Sequence, residues 1–141
     1  MPYSTKFSSL SIGNKIIDSE HEKLSGVINE MSNLILVNHT VALSVQFKIL
    51  NDSLRNYFLI EGNIARAVGF DFTKHRLAHQ LLLYKCQCIQ DKMMNQKSKW
   101  THLERKDCID SLNDCLIQHI KWDSAPFKKV LDAYPYDYKP N

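Results

Sequence analysis

The sequence predicts an all-α fold, an up-down antiparallel four-helix bundle with an irregular N-terminal arm. Three observations carry this. Apolar residues recur every three or four positions nearly throughout, and no strand-like alternation holds for long. Only four glycines and four prolines interrupt the 141 residues, so the helical stretches are long. The connections between the first three stretches are short, which makes neighbouring helices antiparallel. One domain is expected over residues 1–141, because a chain of this length buries roughly two-thirds of its unfolded surface without disulfide staples.

Residues 1–17 read as the arm, with short apolar anchors at Phe7, Leu10 and Ile12. The first helix is expected over residues 19–37 with Asp18 as N-cap. Its apolar face is Leu24, Val27, Ile28, Met31 and Ile35. The second covers residues 41–68 and ends at Gly69, a residue type favoured just past a helix. Phe47, Leu50, Leu54, Tyr57, Glu61, Ile64 and Val68 follow in alternating steps of three and four, the seam of a helix packed nearly parallel to its neighbours. The third covers residues 74–96 with Thr73 as cap; its face is His75, His79, Leu82, Cys86, Ile89 and Met93. The fourth covers residues 103–131, with Leu112, Leu116, His119, Asp123 and Phe127 in line. The tail, residues 132–141, contains AYPYDYKPN and reads as extended.

Composition narrows the function. Hydrophobic residues make up 44% and charged residues 23%, the balance of a soluble globular protein. The formal charge is +3, with Lys and Arg scattered among Asp and Glu, so neither nucleic acid nor a membrane surface is an expected partner. No apolar run approaches the roughly 20 residues of a membrane span. The first residues lack the apolar core of a signal peptide. Cys86 and Cys88 lie about 200° apart around a helix, unlike a zinc clip. Cys86, Cys88, Cys108 and Cys115 are expected to be reduced thiols of a cytoplasmic protein.

Each helical seam is broken by a group able to bind a metal: His21 on the first, Glu61 on the second, His75 and His79 on the third, His119 and Asp123 on the fourth. A lone buried carboxylate costs several kcal/mol unless it is paired or binds a cation. In an antiparallel arrangement all six fall at one end. A metal ion explains their tolerance, because it neutralises the carboxylates and takes the imidazole lone pairs. Mixed histidine and carboxylate ligands on helices favour iron or manganese, often as a pair, while three imidazoles also suit zinc. His39 and His102 read as surface residues.

These residues resemble the hemerythrin family, over roughly residues 7 to 131. The motif Gly-x-x-x-Ile-Asp-x-x-His stands here as Gly13, Ile17, Asp18 and His21, followed by Leu24, Ile28 and Asn29. His-x-x-x-His is His75 and His79, His-Ile is His119 and Ile120, and the second-helix glutamate is Glu61. The resemblance implies a non-haem site of two iron ions joined by two carboxylates and a bridging oxygen. One iron would take His75, His79 and His119; the other would include His21 and bind dioxygen at an open position. The implied function is dioxygen binding for carriage, storage or sensing, with dioxygen or a small oxidant as partner. Two alternatives stand beside it: a di-iron oxidase or peroxidase, and a metal-binding module that has lost the oxygen chemistry.

The ligand set is atypical in two places. The family's His-Phe-x-x-Glu is Tyr57-Phe58-Leu59-Ile60-Glu61 here, so a tyrosine replaces one histidine of the open iron. Tyr57 either binds iron as phenolate, lies beside the site as a hydrogen-bond donor, or leaves the second metal weakly held or absent. The family's aspartate follows the fourth-helix histidine by five residues; that position is Ser124, and Asp123 follows by four. On a regular helix Asp123 lies about 40° from His119 and Ser124 about 140°, so Asp123 is the expected ligand. Pro126 lacks the amide that would bond the Trp122 carbonyl, which makes this turn a candidate irregularity.

Overall fold

The structure, a computed structural model, describes residues 10–37, 40–95 and 100–141. Phe7, His39 and Gln96 lie outside them. Every regular element among the described residues is helical: α1 Lys15–Val37, α2 Thr40–Ala67, α3 Thr73–Met94, α4 His102–Gln118, a wide turn His119–Asp123, and α5 Ala125–Leu131. None of these helices is long and apolar enough to cross a membrane.

Helix ends follow from capping chemistry. Helix α1 begins four residues before the expected start. Gly13 takes φ +86°, and Asn14 is the cap, its side-chain oxygen accepting from the amides of Ile16 and Ile17 at 3.0 and 3.1 Å. Asp18 is not the cap but a residue of the first turn. Its carboxylate reaches back to accept from the Ile12 amide at 2.9 Å and from the Ser11 hydroxyl. Helix α2 stops where glycine was expected to stop it. Gly69 adopts φ +71°, and the Phe70 amide bonds back to the Ala65 carbonyl at 2.9 Å, closing the orphaned end. At α3 Thr73 is likewise already helical; Phe72 holds the cap position without a side-chain bond, and Asp71 before it accepts from the Thr73 amide and hydroxyl at 3.1 and 2.8 Å. Thr101 caps α4 by accepting from the Glu104 amide at 3.1 Å.

The expected fourth helix does not run unbroken to residue 131. At His119 it widens by one residue, so that the Ser124 amide bonds the His119 carbonyl five residues back, at 3.1 Å. Pro126 supplies the cause: with no amide to offer the Trp122 carbonyl, it starts α5 rather than continuing α4.

Helix α1 packs on α2 and α4, and α3 packs on the same two helices. Contact partners run in opposite senses: Glu20 meets Asn56 while Val27 meets Gln46, and Glu61 meets His75 while Asn51 meets Gln90. The enclosed core is built from the predicted seams, including Leu24, Ile28, Met31 and Ile35 of α1 and Phe47, Leu50, Leu54 and Ile64 of α2. Each such side chain contributes about 1.5–3 kcal/mol on leaving water. The tail is not extended. It folds through turns onto the start of α1, where the Lys15 amide bonds the Tyr136 carbonyl at 2.8 Å and Asn14 bonds the Tyr138 carbonyl at 3.2 Å.

Candidate metal centre

The seams of α2 and α3 and the widened turn meet at one end of the core. Helical periodicity puts Tyr57 and Glu61 one turn apart on the inward side of α2. The start of α3, set by the turn at Gly69, brings His75 and His79 opposite them. The wide turn presents His119. Glu61, His75, His79 and His119 are 0%, 3%, 4% and 2% exposed, so none of the four can rely on bulk water. Their ligand atoms lie within 4.8 Å of one another. His75 Nε2 and His79 Nε2 approach Glu61 Oε1 at 2.5 and 2.7 Å. A buried cluster of one carboxylate and three imidazoles could therefore hold a metal ion.

The ring orientations fit that role. Asp123 Oδ2 lies 3.2 Å from His119 Nδ1. A carboxylate only accepts, so this contact keeps the proton on Nδ1 and turns the Nε2 lone pair toward the cluster. Phe58 stacks on His79 with ring centres 3.8 Å apart, and Phe72 stacks on His75 at 4.9 Å. His75 Nδ1 is buried without a hydrogen-bond partner, so its ring is held by Phe72 and by Glu61 rather than from behind.

The Tyr57 hydroxyl is the hub of the other half. It donates to Glu61 Oε2 at 2.7 Å and lies 2.9 Å from His21 Nε2 and 3.2 Å from His119 Nε2. Burial, and then the charge of Glu61, push its pKa well above the ordinary 10, so Tyr57 is a neutral phenol. Ser124, wholly buried, lies against the same phenol. Burial pushes the Glu61 carboxyl up, but hydrogen bonds from His75 and His79 outweigh it and hold it well below the usual carboxylate range. Burial lowers His79, and lowers His21 from 6.5 to about 4. The hydrogen bond with His119 lowers Asp123.

Of the six expected ligands, the structure brings Glu61, His75, His79 and His119 together. His21 stands one step away, joined through Tyr57. Asp123 differs from expectation: its side chain is 45% exposed, and it touches the outer nitrogen of His119 rather than the cluster. The physical reason is the wide turn, which rotates the fifth residue after His119 inward. Ser124 therefore takes the inward place that a regular helix would have given Asp123. Sequence reasoning named Ser124 as the other candidate and Pro126 as a source of irregularity, but favoured Asp123 on regular-helix angles. It missed Phe58 and Phe72, which no periodic pattern marks as ring clamps. No protein-family model, curated protein or solved structure matches the chain.

Proposed function

We propose that this chain is a hemerythrin-like metalloprotein of the cytoplasm: an up-down four-helix bundle that holds iron at Glu61, His75, His79 and His119 and handles dioxygen or another small oxidant. The opposite senses of the helix contacts support the bundle. The observation that carries the metal reading is the buried convergence of four donors, with Asp123 aiming the His119 lone pair. Iron suits three imidazoles and a carboxylate, and would supply oxygen binding and electron transfer; manganese and zinc are the competing ions.

One ion fits better than two. A second position would need His21, Glu61 Oε2 and further donors, but the neutral Tyr57 hydroxyl already engages the first two. Ser124, with no carboxylate, stands where a bridging acid would be wanted. Of the three roles open to Tyr57, hydrogen-bond donor beside the site is the one its raised pKa favours. That same phenol favours a second reading, an oxidase or peroxidase, because it sets an oxidisable hydroxyl oxygen 3.2 Å from a ligand nitrogen.

Metal analysis of the chain purified from iron-replete cells tests this. About one iron per chain is expected, lost in His79→Ala, with an ultraviolet-visible band that responds to oxygen. Two irons per chain would overturn the single-ion reading. A zinc-filled site with no response to oxygen would overturn the oxygen reading. Tyr57→Phe separates the two functions: oxygen response retained with peroxide turnover lost points to the enzyme.

A further inference from the structure

On the outer side of the polar cluster, the groove between α2 and α3 holds a cavity of about 610 Å³. That size is typical of small-molecule sites. Its walls come from α2, α3 and the turn that joins them, and they are of two kinds. Phe58, Phe72 and Leu83 make an apolar floor, while Arg55, Arg66 and Arg76 stand around it. No acidic residue lines the cavity, and none of these three arginines has an ion pair with a carboxylate among the described residues. Three uncompensated guanidinium groups around aromatic faces make a field suited to an anion with an apolar body.

Gly62 supports the same conclusion. It lies inside α2, where glycine costs about 1 kcal/mol relative to alanine. A Cβ there would meet only Phe72 Cε2, at 3.7 Å, an ordinary contact, so helix packing does not demand glycine. Gly62 does line the cavity, and any larger side chain would project into it.

We propose that this cavity binds a small organic carboxylate with a flat aromatic body. The body lies on Phe58 and Phe72, and the carboxylate takes paired hydrogen bonds from the arginine forks. The His79 ring, itself a member of the polar cluster, forms part of the same wall, so an occupant lies against the outer side of that cluster. The proposal requires no ion and stands whether or not the metal reading does.

The test uses the full chain, titrated with 1-naphthoate and followed by the amide resonances of Gly62, Asn63 and Arg76. Saturable shifts confined to those residues and their neighbours are expected. The uncharged 1-naphthalenemethanol should bind at least about tenfold more weakly. The double variant Arg66→Gln, Arg76→Gln should lose at least about tenfold in affinity with an unchanged helical spectrum, and Gly62→Leu should block binding. Failure to saturate, equal binding of the neutral compound, or full affinity in the arginine variant would overturn the proposal. Octanoate binding more tightly than 1-naphthoate would overturn the aromatic part of it, and displacement by an equal concentration of inorganic phosphate would reduce it to a bare anion site.

Discussion

Tyr57 has one proton and four polar neighbours, Glu61, His21, His119 and Ser124, and this imbalance governs the site. Its proton goes to Glu61, so His21 must donate to the phenol. Tyr57→Phe strands a buried His21 nitrogen and a Glu61 oxygen. A loss of about 2–4 kcal/mol is expected, read from urea unfolding. If one phenol is what excludes a second ion, then Tyr57→His combined with Ser124→Asp should raise metal content from about one to about two per chain by elemental analysis. Asp123→Asn, which keeps the shape but weakens the hold on His119, should lower metal affinity about 10- to 100-fold in a chelator competition. Proton binding at His21 sets a pH dependence. Burial holds its pKa at about 4 against 6.5 in the unfolded chain. On acidification the unfolded chain takes up that proton first, so stability falls as pH drops through that window, by about 3 kcal/mol at His21. Glu61, held below the usual carboxylate range, acts in the same direction at lower pH, because its contribution is present above the unfolded carboxylate value and lost below it. Urea midpoints of the metal-free chain at about pH 7, 5.5 and 4.5 check this sign.

At the scale of the helix, ends obey local chemistry and faces obey periodicity. Gly69 has open space where a Cβ would go but a backbone that disfavours one, at φ +71°. Gly69→Ala should therefore cost about 1 kcal/mol through backbone strain alone, seen as a lowered Tm with unchanged helix content. The seams were legible because a regular helix repeats every 3.6 residues, so spacing alone puts Glu61, His75, His79 and His119 on inward faces. The start of α1 was less so. Asp18 is a good cap residue, but so is Asn14 one turn earlier, and Gly13 at φ +86° lets the chain turn into the helix there. The exchange of Asp123 for Ser124 was hidden for a different reason: angular arithmetic assumes an α-helix, and the wide turn breaks that assumption at the residue where it mattered. The Tyr-rich tail read as extended because its bonding partners, Asn14, Lys15 and Asp18, are far away in sequence.

Across the whole molecule, the polar cluster and the fold depend on one another. The four donors come from α2, α3 and the wide turn, so an ion bound among them ties together segments separated by up to 58 residues, from Glu61 to His119. Ion binding to the folded chain alone stabilises it by about 2.7 kcal/mol at a free concentration one hundred times Kd. Added iron should raise Tm in wild type and leave His75→Ala unchanged. The tail acts at the same end. Tyr136 bonds Asp18 one turn before His21, so loosening the last residues would be felt at the imidazole that supports Tyr57.

The five-residue step from His119 to Ser124 has one more consequence. On a regular helix the residues three and four after a histidine share its face. Here consecutive residues attend to opposite edges of one imidazole: Asp123 from the solvent side, Ser124 by way of the phenol within. Excising Trp122 would put Ser124, Phe127 and Leu131 in line on the inward face of a regular register, though Pro126 would still withhold an amide, now from the Lys121 carbonyl. It would move Asp123 to the third place after His119, about 60° around the helix from it.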